Sequence, residues 1–264
     1  MIPAPRDARP NGAQWSDLLG EFDRWGEAGR AATLWWRDDD AAAPDDRLNR
    51  LLALAGEVPV TLAVIPAQAE PDLAAWLAER APRAGVVQHG WRHANHALDR
   101  HKSEFPAERP PAAVEAELGA GHAWLSALFG ARARPVLAPP WNRFATAFLP
   151  LLAGCGIAAI SGLGPRRAAP GVGEVNVHVD LIAWREGRAF IGEAAALSGI
   201  LAHLRARRQG LVDVAEPTGL LTHHAVQDAE AAAFLSTLVT RVAAHGAARW
   251  LAADEVFAAF GGGA

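Results

Sequence analysis

The segment at 86–97, VVQHGWRHANHA, holds three histidines within eight positions, His89, His93 and His96. His89 and His93 stand at i and i+4, a spacing that on a turn or helix brings two imidazoles to one side, where both grip one cation. Gly90 between them tolerates the tight backbone expected where an apolar run ends. His96 has no partner at such a spacing and reads as part of the surroundings or the surface. Upstream, Arg37-Asp38-Asp39-Asp40 sets three aspartates in a row. They cannot all be buried and ionised without a counter-charge, which a divalent cation or Arg37 would supply. Taken alone, the run reads equally as a solvated turn or a helix N-cap before 45–55.

Two histidines and one carboxylate leave coordination positions open, as in catalytic rather than structural zinc sites. A water acidified to a pKa of ~7 attacks a carbonyl that the same ion polarises. Hydrolysis of this kind also needs a base for the water and an acid for the leaving group. A second aspartate beside the ligand suits the base. Leu221-Thr222-His223-His224 offers the acid, since histidine donates a proton near neutral pH. His101, His122, His203 and His245 sit in loop or helical contexts and read as structural or exposed.

These groups must be positioned by the elements around them. Strand-like runs are predicted at 33–37, 59–65, 84–88, 135–139, 156–161, 175–180 and 219–223. Helical spacing is predicted over 45–55, 71–80, 112–129, 145–153, 193–209 and 226–245. Phe234, Leu235, Leu238 and Val242, for example, recur at threes and fours along one face. Repeated strand–helix alternation implies parallel strands with helical crossovers, in about seven units, as a barrel or an open doubly wound sheet. In either architecture ligands bind at the carboxyl ends of the strands. The polar groups RDDD, QHGWRH, APPWNR, HVD and LTHH all follow strand ends. Residues 97–111 break the rhythm as a polar loop longer than the usual ~2–6-residue connection, either a lid or substrate contact or an ordinary surface excursion.

The chain has 264 residues, a length suited to one domain, and its half-hydrophobic composition is that of a globular protein. A net charge of −4 excludes a broad basic surface for nucleic acid. The single cysteine, Cys155, excludes an intrachain disulfide framework and fits a reducing compartment. The first 25 residues carry early charges and lack the apolar core of a secretory signal, so the expected location is cytoplasmic. Residues 144–165 are uncharged and reach the ~20 residues of a membrane span, but Pro150 and Gly154-Cys155-Gly156 divide them into a short helix and a short strand. There is no internal repeat and no low-complexity tract apart from a Gly-rich tail, 261–264.

These residues, in this order, resemble the NodB-like polysaccharide deacetylases, carbohydrate esterase family 4. The resemblance spans residues of about 33 to 260 within a single domain, 1–264. It implies a distorted (β/α)7-type barrel and a divalent metal used to remove N- or O-acetyl groups from sugars. The family's Thr-Phe-Asp-Asp-Gly motif is similar to Arg37-Asp38-Asp39-Asp40-Ala41, which makes Asp39 the catalytic base and Asp40 a metal ligand. A register one residue earlier gives these roles to Asp38 and Asp39. The His-(Ser/Thr)-x-x-His motif is similar to His89-Gly90-Trp91-Arg92-His93 and supplies the other two ligands, with Gly90 where the family has a hydroxyl residue.

Arg-Pro-Pro-Tyr is similar to Ala138-Pro139-Pro140-Trp141. The family arginine holds the catalytic aspartate, so Ala138 is a departure, with Arg37 and Arg143 as candidate replacements. The backbone N–H of Trp141 would stabilise the oxyanion. An aspartate preceding a tryptophan is similar to Asp180 and Trp184, with Ala183 where a second acidic residue is often found. Leu-x-His is similar to Leu221-Thr222-His223, with Leu221 against the acetyl methyl and His223 as the acid. Trp91 and Arg143 complete the expected substrate contacts.

The expectation is therefore a hydrolase of C–N bonds other than peptide bonds, or of acetyl esters. It would use one divalent ion, zinc first and cobalt or nickel otherwise. Its partner would be a small acetylated sugar or glycan precursor, reached inside the cell. Two other readings compete. One is a metal-dependent hydrolase of another amide or ester, which the altered third and fourth motifs favour. The other is a non-catalytic metal-containing sugar-binding module with Trp35, Trp36, Trp91 and Trp141 as stacking platforms. For Trp35 and Trp36, alternating in a strand, core packing is the expected role.

Overall fold

The computed structural model describes residues 12–166 and 171–260. The Gly-rich tail and residues 1–11 of the stretch read for a secretory signal lie outside the described residues. Helix α1 (Trp15–Glu27) leads into strand β1 (Ala32–Ala41), and α2 (Asp46–Ala55) follows. Strands β2 (Thr61–Val64) and β3 (Gly85–Gln88) come next, with α3 (Leu73–Arg80) between them. Helix α4 (Pro111–Phe129) then returns the chain to β4 (Ala133–Leu137), β5 (Ala159–Ile160), β6 (Gly173–Glu174) and β7 (Val179–Asp180). A hairpin of β8 (Ile182–Ala183) and β9 (Ala189–Phe190), helix α5 (Glu193–Arg208), β10 (Thr218–Thr222), α6 (Ala229–Ala244), β11 (Ala248–Trp250) and a short α7 (Ala253–Val256) follow.

The main sheet runs β6-β5-β4-β3-β2-β1-β10-β7 with every pair parallel, and β11 also pairs with β1. Parallel neighbours need crossovers, which the amphipathic helices supply while covering the sheet. The result is the distorted (β/α)7-type barrel expected from the sequence. Helix α2 starts where Asp45 accepts a hydrogen bond from the Leu48 N–H at 2.7 Å. The cap is thus Asp45, and the Asp38–Asp40 run belongs to the strand.

Alternation along β1 explains its apolar residues. Trp35 points into the barrel, edge-on to Phe257 at 5.5 Å, and Trp36 points into the helical layer near Trp250; both are fully buried. Core packing, rather than sugar stacking, is their role.

Several elements differ from expectation. The helix predicted over 145–153 is a series of 3-10 turns, Thr146–Leu151 and Ala153–Cys155, because Pro150 lacks the N–H an α-helix needs. Of the strand predicted over 175–180 only Val179–Asp180, β7, forms, and β6 lies just before that range. Helix α1, strand β11 and the β8–β9 hairpin were not predicted. No described helix is long and apolar enough to cross a membrane.

Candidate functional site

The end of β1 carries the site. Period-two alternation puts Arg37 and Asp39 on the inner face with Trp35, and Asp38 on the outer face with Trp36. Asp38 is fully buried there. It accepts hydrogen bonds from the Thr222 hydroxyl at 2.6 Å and the His224 N–H at 3.0 Å, and it also meets His224 Nδ1. Asp40 would follow Asp38 outward, but its φ of 72° and the register shift between Asp38 and Ala41 turn it over the barrel mouth.

There it meets the two histidines. Asp40 Oδ1 lies 3.2 Å from His89 Nε2 and 3.4 Å from His93 Nε2. One ligand atom from each residue lies within 4.8 Å of the others. His89 follows directly on β3. Its Nδ1–H donates to the Ala138 carbonyl at 2.9 Å, leaving the Nε2 lone pair aimed at Asp40. Asp40 Oδ1 is buried and finds no hydrogen-bond donor. A lone pair on nitrogen facing a carboxylate oxygen without a proton donor fits a cation between them.

The electrostatics agree. Burial opposes ionisation of Asp40, yet its contact with His89 and the charges of His89, His223 and His93 hold its carboxyl far below the usual carboxylate range. Burial likewise opposes a charge on His89, and Asp39 and Asp40 overcome it to raise the imidazole above its ordinary value. The field that would hold a proton on His89 attracts a divalent cation in the same way. His93 is shifted down by burial and by His89.

The backbone at this site departs from ordinary strand and turn geometry. Five non-glycine residues among those described have positive φ, and four of them, Asp40, His93, Trp141 and Asn142, stand at this site. Such conformations cost roughly 1–3 kcal/mol each and persist where the surroundings impose them. For His93 the agent is Glu104, fully buried, whose carboxylate accepts the N–H groups of Arg92 at 2.8 Å, Trp91 at 3.1 Å and Ala94 at 3.5 Å. A Cβ on Gly90, at φ 62°, would collide with Glu104 Oε2 and the Pro140 ring. Only glycine lets that carboxylate reach the turn.

Asp39 is gripped by Arg37, with Nε donating to Oδ1 at 2.8 Å and Nη2 to Oδ2 at 3.0 Å. The other guanidinium protons reach Ser161 O, Ser161 Oγ and Asn142 Oδ1. Arg37 therefore stands where the arginine missing at Ala138 was expected to act, whereas Arg143 donates to the Lys102 carbonyl and contacts His101. Burial works against a charge on Asp39, but Arg37, His89 and His223 outweigh it and hold the carboxyl below its ordinary value.

His223 Nε2 lies 4.0 Å from Asp39 Oδ2, and its buried Nδ1 has no hydrogen-bond partner. Trp184 stands edge-on to it at 4.6 Å, its Nε1–H donating to Asp180 Oδ2 at 2.7 Å. Asp180 thus touches the tryptophan rather than the histidine, and burial raises its carboxyl above the usual range. Trp141, at φ 56°, lays its ring 4.3 Å from that of His93, and its N–H has no backbone acceptor among the described residues. Leu221 is fully buried beneath the site in the barrel interior, in one apolar cluster with Trp35, Val87 and Ala138. Trp91 is half-buried beside Arg92. Glu104, Asn142, Ser161 and the Ala138 carbonyl were not identified from sequence. Only the glycine at position 90 hinted that something crowds that turn.

A second cluster, His178, His203 and Glu216, also brings its ligand atoms within 4.8 Å of one another. The Gly219 N–H donates to His178 Nδ1 at 2.9 Å, so the proton of the neutral ring sits on Nε2 and leaves no lone pair for a metal. Its two imidazoles stack at 3.3 Å beside the Arg207 guanidinium as buried structural groups.

Neither a protein-family model nor a curated protein sequence matches the chain. Solved structures do. A candidate polysaccharide deacetylase from Mycobacterium smegmatis superposes with a TM-score of 0.59 at 19% identity, over 91% of this chain and 90% of that one. A family 4 acetyl xylan esterase from Clostridium thermocellum, solved with a cobalt ion, gives 0.53 at 16% identity, over 86% and 91%. A family 4 pseudoenzyme from Bacillus anthracis gives 0.53 at 15% identity, over 83% of this chain and 63% of that one. At these identities the likeness establishes a shared fold.

Proposed function

We propose that this protein is a metal-dependent hydrolase that removes an acetyl group from an N- or O-acetylated sugar or glycan precursor. The reading rests above all on one observation, the convergence of Asp40, His89 and His93 one residue from a carboxylate gripped by Arg37. Asp40, His89 and His93 would hold one divalent ion, for which two imidazoles and a carboxylate suit zinc, with cobalt or nickel as substitutes. When bound, that ion supplies a Lewis acid for the acetyl carbonyl and lowers the pKa of water at the site.

The chain's own residues do the rest. Asp39, ionised and oriented by Arg37, takes a proton from water as the water oxygen bonds to the acetyl carbon. The Trp141 N–H donates to the carbonyl oxygen as charge develops on it. His223 gives a proton to the departing nitrogen or oxygen as the bond to the acetyl carbon breaks, and acetate leaves. Asp180 keeps Trp184 against His223 and so fixes the orientation of the imidazole. Leu221 floors the site, with Trp91 and Arg143 at its margins. A cytoplasmic location is part of the proposal, supported by the lone cysteine. The test is acetate release from a panel of acetylated sugars. The wild type should release acetate, and Asp39→Asn should lose at least about 100-fold in kcat while retaining its metal. Saturable binding of these sugars with no acetate released would instead identify a binding module.

A further inference from the structure

Beside the site lies a cleft of about 570 Å³, a volume typical of small-molecule pockets. It continues directly from the site, because Asn142 belongs to both: its Oδ1 accepts from Arg37, and it also lines the cleft. Phe105 and Phe144, edge to face at 5.4 Å, give the cleft an aromatic surface. Ala97, Leu98, Asp99, His101 and Ser103 form one wall and Arg143 another, with Arg100 joined to that wall through its contact with His101.

The polar side chains here are short of acceptors. Arg143 Nη2 lies 3.2 Å from His101 Nδ1, and Arg100 Nε lies 3.2 Å from His101 Nε2. A guanidinium only donates, and a neutral imidazole has one lone pair, so one of these two contacts sets donor against donor. Lys102 stands 5.9 Å over the Trp141 ring, joining this cluster to the residue proposed to stabilise the oxyanion. Among the described residues no carboxylate lies within ion-pair distance of Arg100, Lys102 or Arg143, although Asp99 and Glu108 line the same cleft. Asp99 Oδ1 accepts from the His101 backbone N–H at 2.8 Å.

We infer that this cleft binds an anionic group, a phosphate or a carboxylate, carried by the acetylated sugar next to the ring that is deacetylated. The inference rests on the proposed function for where the sugar lies. Anion oxygens placed at His101 and Arg143, with Arg100 adjacent to His101, provide the acceptors that this cluster lacks, and planar guanidinium groups suit them geometrically.

The test is calorimetric binding to the metal-loaded protein of four probes: N-acetylglucosamine, its 1-phosphate, its uridine diphosphate conjugate and N-acetylmuramic acid. At least one anionic probe should bind tenfold or more tightly than the neutral sugar, and which one does so identifies phosphate monoester, diphosphate or carboxylate as the source. The preference should fall below twofold in Arg100→Ala/Arg143→Ala, whose exposed positions permit normal folding. Equal affinity for all four probes, or a preference unchanged in the double variant, overturns the inference. An anion preference without acetate release from any probe would retain the cleft while removing the deacetylase reading.

Discussion

Arg37 holds Asp39 with two hydrogen bonds, 2.8 and 3.0 Å long, from two residues earlier on the same strand. The pair therefore lies on one face by strand geometry alone, and the grip needs no loop to arrive from elsewhere. Arg37→Lys keeps the charge but not the fork. The metal content should stay unchanged, while kcat/KM for acetate release falls about 100-fold, the scale of a small misplacement of a catalytic group. Arg37→Met should instead cost about 3–5 kcal/mol in urea unfolding, because it leaves Asp39 buried and unpaired. Full activity in the lysine variant would show that the fork is dispensable.

Asp38 and Asp40 test the register of the acidic run. Asp38 is occupied by Thr222 and His224 on the outer face. Asp38→Asn should retain the metal and lose about 1–3 kcal/mol of stability. Loss of metal in Asp38→Asn with retention in Asp40→Asn would reverse the two roles.

Glu104 sets the turn that carries His93. Glu104→Gln supplies an amide where three N–H groups need an anionic acceptor. Cobalt affinity should fall about 10–100-fold, the usual effect of losing a group that orients a ligand. The visible spectrum of the cobalt-loaded protein should change as well, which a general loss of stability would not produce. An unaltered spectrum and affinity would make Glu104 a packing residue only.

The buried imidazoles at the second cluster govern acid stability. Burial lowers His178, and burial together with His178 and Arg207 pushes His203 down to about 2. Both are neutral in the fold, whereas in the unfolded chain they take up protons near 6.5. Their contribution is complete above that value and is lost as pH falls from it. The loss is at most about 1.4 kcal/mol per pH unit for each ring. Urea titrations from pH 7.5 to 4.5 should show this slope, and His203→Gln should flatten it; an equal slope in both proteins would assign the acid sensitivity elsewhere.

The grouping of the candidate site was legible because it lies in short spacings: His89 and His93 four apart, Asp39 beside Asp40, His223 after a buried strand. Strand–helix alternation likewise disclosed the parallel fold. Less legible was whatever depends on backbone that departs from its period. Asp40 faces the histidines only because its φ is positive, and alternation alone would send it outward with Asp38. Glu104 reaches the turn from a loop more than ten residues away, and no pattern in that loop points to it. The Ala138 carbonyl orients His89 without any side chain to mark it. The run 145–153 has helical apolar spacing, but its proline decides the outcome.

The central claim is that Asp40, His89 and His93 hold one divalent ion, and elemental mass spectrometry of the purified protein tests it most directly. The account predicts about one ion per chain in the wild type, lost in Asp40→Asn and in His93→Ala and kept in Asp38→Asn. A wild-type protein that takes up no metal even after dialysis against zinc, cobalt or nickel would contradict it.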